Sequence, residues 1–149
     1  MSTEKDAAFY ERWDKAWQAA WNEGNLDVLD EFVAPDYVRH SPPGPDVVGL
    51  EGFKKFIADV RISYPDWRLT YDGGISQGDF SAAHGMCQGT LTGKSPSTGV
   101  QGTGQKVNYA WSAYDRWVGD KLVEEWAVCD FVTMMRQQGY TFSPPEPKK

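Results

Sequence analysis

Only two histidines, His40 and His84, occur in the chain, and histidine is the side chain whose ordinary pKa lies closest to physiological pH. His40 precedes Ser41-Pro42-Pro43, a stiff loop that would hold it near a pocket mouth, so it is a candidate proton carrier. A structural hydrogen bond to that loop is the alternative. His84 stands in a Gly/Ala-rich stretch with no evident partner and reads as structural. Cys87 and Cys129 show neither a CxxC pair nor Cys/His spacing, so the sequence predicts free thiols and no metal site. Residues 99–104 are glycine-rich, but no strand-to-helix step follows as a phosphate-binding loop requires. They read as a hairpin loop and a candidate lid. Arg116 lies beside Asp115, and adjacent strand residues point to opposite faces, so the two cannot serve one site. Asp130 directly precedes a helical stretch, where capping free backbone N–H groups contributes about 1 kcal/mol. That role is favoured over catalysis.

The elements that must position these residues follow from periodicity. Phe9, Trp13, Trp17 and Trp21 recur at helical spacing, which predicts an amphipathic helix over 4–23 that Gly24 ends. Asn25 can cap a short second helix with Leu26, Leu29, Phe32 and Val33 on its apolar face and Pro35 as its stop. A strand at 37–40 and a third helix carrying Phe53, Phe56, Ile57 and Val60 come next, ending near Tyr64-Pro65. From Asp66 onward the pattern alternates, giving strands at 67–71, 82–92, 106–117 and 121–128. Val118-Gly119-Asp120 joins the last two as an antiparallel hairpin. A final helix runs over 131–138 between Asp130 and Gly139. Helices followed by an antiparallel sheet make an α+β domain, assigned to 1–142, with a Pro-rich disordered tail at 143–149.

Composition narrows the function. Seven Trp, seven Tyr and seven Phe among 149 residues exceed what packing alone demands, and some of these rings can line a cavity. The net charge of -6 leaves no basic stripe for nucleic acid or an anionic membrane. No apolar run approaches bilayer length, and no secretory leader is evident, so a cytoplasmic protein with a neutral small-molecule partner and no cofactor is expected.

The segments Trp21-Asn22-Glu23-Gly24-Asn25-Leu26-Asp27, His40-Ser41-Pro42, Gly49-Leu50-Glu51-Gly52-Phe53, Tyr64-Pro65-Asp66-Trp67 and Glu124-Glu125-Trp126 stand in an order that resembles the SnoaL-like polyketide cyclases. These belong to the nuclear-transport-factor-2-like superfamily, with ketosteroid isomerase, scytalone dehydratase and limonene epoxide hydrolase. The resemblance implies a cone-shaped fold in which N-terminal helices pack on a curved antiparallel sheet that encloses a pocket. It also implies three acid/base positions on the last hairpin, which fall on Ala113, Glu125 and Ala127. Two are therefore alanines, and Glu125 is the remaining candidate. Likeness to ketosteroid isomerase would place a general base at Ser41 and an oxyanion donor at Trp17, which supplies no base. No Asp-Arg-Asp set of the epoxide-hydrolase kind is evident.

Strand parity then places Glu125, Ala127 and Cys129 on the pocket face together with Tyr109, Trp111 and Ala113. A carboxylate among rings and without polar neighbours should be desolvated and titrate high, which suits acid/base work. Pairing with Arg116 or a lysine is the structural alternative. The expected site is catalytic Glu125 assisted by His40, in a substrate pocket bounded by Trp17, Trp67, Tyr109, Trp111 and Cys129. The expected activity is cofactor-independent cyclisation, isomerisation or elimination on a hydrophobic cyclic, polyketide-like or terpenoid-like metabolite, by proton transfer or by templating. A non-catalytic binding protein and an epoxide-hydrolase-like enzyme are the alternatives. Apolar residues on the outer sheet face, Trp126 among them, predict a homodimer.

Overall fold

The structure, a computed structural model, describes residues 5–149; the part of the first expected helix at residue 4 lies outside them. Helix α1 (Ala7–Gln18) starts where the Asp6 carboxylate accepts the Phe9 N–H at 2.9 Å. Its tryptophan stripe faces the core. The helix then widens into a π-helical segment, Ala19–Glu23, which sets Trp21 into the core and ends at Gly24 with φ 73°. Arg61 caps this end by donating Nη1–H to the Trp21 carbonyl at 2.9 Å. The expected short second helix is a 3₁₀ segment, Leu26–Glu31, and Asn25 makes no side-chain cap. Six residues suffice for the tighter helix, and Leu29 still reaches the core.

Strand β1 (Val33–His40) starts earlier than the sequence indicates, because Pro35 lies in a bulge where its missing N–H costs no ladder bond. The two-residue strand β2 (Val47–Val48) pairs with it and has no periodic signature. Helix α2 (Leu50–Ser63) buries Leu50, Phe53, Ile57 and Val60 on one stripe. Strands β3 (Arg68–Gln77), β4 (Phe80–Leu91), β5 (Gln105–Val118) and β6 (Lys121–Cys129) follow, then α3 (Phe131–Gln138). Asp130 caps α3 by accepting the Thr133 N–H at 3.1 Å and the Thr133 hydroxyl at 2.7 Å.

The strands form one sheet of order β2-β1-β6-β5-β4-β3. Every neighbouring pair is antiparallel except β1 and β6, which run parallel. Register shifts at Tyr71/Gly73 in β3 and Arg116/Trp117 in β5 bend the sheet around the helices. The fold is thus the open cone of the α+β class, and its core lies between the concave sheet face and the helices. Beyond Gly139 the chain has no regular structure.

Candidate functional site

Along β6 the side chains alternate as parity requires, with Glu125 and Ala127 inward and Trp126 and Val128 outward. Glu125 is only 1% exposed. It is not the isolated carboxylate that the sequence suggested. Its Oε1 accepts the Tyr37 hydroxyl at 2.9 Å and the Arg39 Nε–H at 2.7 Å. The expected alternative partner, Arg116, lies on the outer face, where Nη2 reaches Glu124 at 3.1 Å. Arg39 arrives instead from β1, through the parallel pairing that sets it opposite Glu125.

The Arg39 guanidinium sits 5.3 Å from the Phe56 ring centre and 5.8 Å from those of Trp21 and Phe53. These faces offset part of the cost of burying it. Asp115 stands directly opposite Glu125 in the β5–β6 register, so two buried carboxyl groups are neighbours. Burial, and next the Glu125 charge, push the Asp115 carboxyl well above its ordinary range. The same two causes raise the Tyr37 phenol. For Arg39 desolvation is the largest single influence and acts downward, yet its neighbours, Glu125 foremost, raise the guanidinium on balance.

His40 is not part of this group. As the neighbour of Arg39 it points to the opposite face, with Nε2 2.8 Å from Glu124 Oε2 and Nδ1 3.0 Å from Asp46 Oδ1. Its ring stacks on Trp126 at 5.5 Å. Strand parity therefore places His40 on the face away from Glu125 and brings Arg39 to it.

Glu125 opens onto a cavity that also touches Trp17, Trp67, Tyr109, Trp111 and Cys129. The space between these walls is about 650 Å³ with its mouth included, but only about 50 Å³ admits the centre of a water molecule. The cavity is narrow and lined largely by aromatic residues. Pro96 and Ser97 of the β4–β5 loop stand at its rim. That loop is tied to α3 through Gln138, which accepts the Thr98 hydroxyl at 2.7 Å and donates to Tyr64 Oη at 2.7 Å.

Trp111 donates its indole N–H to the Thr70 carbonyl at 3.1 Å and is fixed as a wall. Trp21 and Trp67 also line the cavity, and their buried indole N–H groups find no acceptor among the described residues. Burial raises the Cys129 and Cys87 thiols, so both are neutral lining rather than nucleophiles. Among the described residues no cluster of three metal-ligating side chains occurs. No helix there is long and apolar enough to cross a membrane.

Sequence reasoning passed over Tyr37, Arg39, Asp115 and the cavity role of Trp21. The first two alternate on β1 with the inward parity of Glu125's neighbours. Asp115 continues the inward series Tyr109, Trp111, Ala113. These parities were the available signal.

No protein of curated function shows significant sequence similarity to the chain. Solved structures do resemble it. TsrD from Streptomyces laurentii is 25% identical with a TM-score of 0.81, over 91% of this chain and 98% of that one. IdmH from Streptomyces antibioticus, described as a candidate polyketide cyclase, is 27% identical with a TM-score of 0.72, over 89% and 99%. AclR from Streptomyces galilaeus, described as a candidate hydroxylase, is 26% identical with a TM-score of 0.72, over 93% and 91%. The sequence pattern of the SnoaL-like polyketide cyclases matches residues 11–138. With the cone fold and the ring-lined cavity around Glu125, this match shows that the protein belongs to the SnoaL-like polyketide cyclase family.

Proposed function

We propose that the protein is a cofactor-independent enzyme of the cyclase or isomerase type, acting on a hydrophobic, oxygen-bearing cyclic metabolite of polyketide or terpenoid character. The observation that carries this reading is a buried carboxylate, Glu125, which faces a slot of aromatic rings while one of its oxygens is fixed by Tyr37 and Arg39. Tyr37 and Arg39 both act on Oε1, which orients Oε2 as the oxygen that takes the proton. A ketone could lose a proton from its α-carbon to that oxygen, the bonding pair moving onto the carbonyl oxygen. Arg39 uses only Nε on Glu125, so its remaining N–H groups suit the developing oxyanion. The carbanion carbon would then attack an electrophilic carbon of the same molecule, and Glu125 would return the proton to the oxygen produced. Aromatic residues around so narrow a slot favour a folded substrate close to the reacting geometry. The unpaired indole N–H groups of Trp21 and Trp67 support a ligand with carbonyl or hydroxyl oxygens.

A binding protein is the second reading, favoured by the engagement of Glu125 in an ion pair with Arg39. Glu125→Gln separates the two. Removing a general acid/base costs about 10² to 10⁴ in rate. The change also leaves Arg39 buried without its counter-charge, at about 3–5 kcal/mol of stability. Turnover of an oligoketide probe should therefore collapse in molecules shown to be folded by retained quenching of Trp fluorescence with pyrene. Undiminished turnover would reject proton transfer at Glu125. If the parent binds pyrene tightly but turns over no oligoketide, the binding reading takes its place.

A further inference from the structure

Asp115 faces Glu125 directly across the β5–β6 register, with both residues buried at 4% and 1% exposure. If both were ionised, two like charges would be neighbours in the interior, and among the described residues Arg39 is the cation that pairs with them. A single proton on the pair removes the repulsion and leaves one carboxylate opposite one guanidinium. The contacts identify its holder. Glu125 Oε1 accepts from Tyr37 and Arg39 and is therefore an unprotonated oxygen. Asp115 has only a long contact from the Ser81 hydroxyl at Oδ2, 3.4 Å, and Oδ1 has no partner among the described residues. A buried carboxylate oxygen without a donor is costly, whereas the same oxygen carrying a proton is itself a donor toward Glu125.

We propose that Asp115 stays protonated at neutral pH and donates its O–H to Glu125, so that the carboxyl pair keeps one proton and one negative charge beside the cavity. The upward displacement of the Asp115 carboxyl, from burial and then from the Glu125 charge, agrees with this. Asp115 is a positioning residue: it does not line the aromatic slot but a separate cleft under α1, with Tyr10, Asp14, Ser76 and Ser81. The titratable groups around it are Glu125 from β6, Tyr37 and Arg39 from β1, and, lining its cleft, Tyr10, Glu11 and Asp14 from α1 and Tyr71 from β3.

The resting pair is thus Glu125 carboxylate and Asp115 acid. When Glu125 takes a proton from substrate, both carboxyls are neutral, the electrons of the broken bond stay on the substrate, and the Arg39 charge faces the new anion. Return of the proton restores the resting pair, and nothing else is consumed. The role in turnover rests on the acid/base reading of Glu125, whereas the location of the proton does not.

Infrared difference spectra of the full chain against Asp115→Asn, recorded at neutral pH in light and heavy water, test the location. The parent should show a neutral-acid C=O stretch that shifts in heavy water and is missing from the variant. A parent without that band, or a variant that keeps it, would overturn the proposal. The asparagine amide still donates to Glu125, so the variant should fold, and its stability against pH gives a second measurement. A carboxyl whose folded pKa is raised contributes stability that is full below its ordinary value and is lost as pH rises through the folded value. The parent should therefore lose stability relative to Asp115→Asn as pH rises from the ordinary carboxyl range; a difference that stays flat, or grows the other way, contradicts the proposal. Pyrene quenching in the same samples reports the cavity separately. Its failure in the parent would remove the proposed function and leave the protonation result standing.

Discussion

One peptide bond separates Arg39 from His40, yet strand alternation gives them unrelated surroundings. Arg39 balances a buried carboxylate, while His40 lies outside between Glu124 and Asp46. Hydrogen bonds to Glu124 and then to Asp46 raise the His40 pKa. Stability from the protonated ring is full below the ordinary histidine value and is lost as pH rises through the raised one. His40→Asn should remove this pH-dependent component of unfolding free energy and leave turnover unchanged. Denaturation series below and above neutrality, together with parallel turnover assays, check both parts; a clear fall in turnover would return His40 to the chemistry. The inward placement of Glu125 was legible from strand parity. Its partners were not, because the bonds from Tyr37 and Arg39 span 88 and 86 residues, and no local pattern announces a parallel pairing between first and last strands.

At the level of elements, β4 shows how closely the site wall is built. A Cβ on Gly85 would stand 1.8 Å from the Thr70 carbonyl oxygen and 2.8 Å from Trp111 Nε1, the two atoms that hydrogen-bond to each other. Gly85→Ala should therefore push β3 away from β4 and unseat Trp111. Overpacking of this kind costs about 1–3 kcal/mol, and weaker pyrene binding should accompany it. Urea denaturation and fluorescence titration measure the two effects; unchanged values would mean that β3 yields freely at this point. The existence of the four later strands, the α3 cap and the tryptophan stripe were readable because each rests on near neighbours in sequence. The 3₁₀ segment and the early start of β1 were not, since Pro35 stops a helix but also fits a bulge, and only the register with β6 decides between them.

Across the whole molecule, the outer sheet face carries a row of rings: His40 on Trp126 at 5.5 Å, Trp126 near Tyr114 at 5.9 Å, and Tyr114 on Phe80 at 5.2 Å. Val128 and Ile75 beside them are 66% and 79% exposed. We expect a second copy to cover this face, as apolar patches of that extent on a sheet usually find a partner. Sedimentation at micromolar concentration should give a dimer that Trp126→Glu dissociates; a monomeric parent would refute it. On the inner side, Trp117, Trp13, Trp17, Trp21 and Trp67 follow one another at centroid separations of 5.3, 5.2, 5.9 and 6.0 Å. So close a series behaves optically as a unit, because resonance energy transfer between indoles operates comfortably over such gaps. Excitation absorbed at the far end of α1 can migrate to whichever ring a bound molecule touches. The emission of this protein should therefore report on the whole series rather than on any single tryptophan.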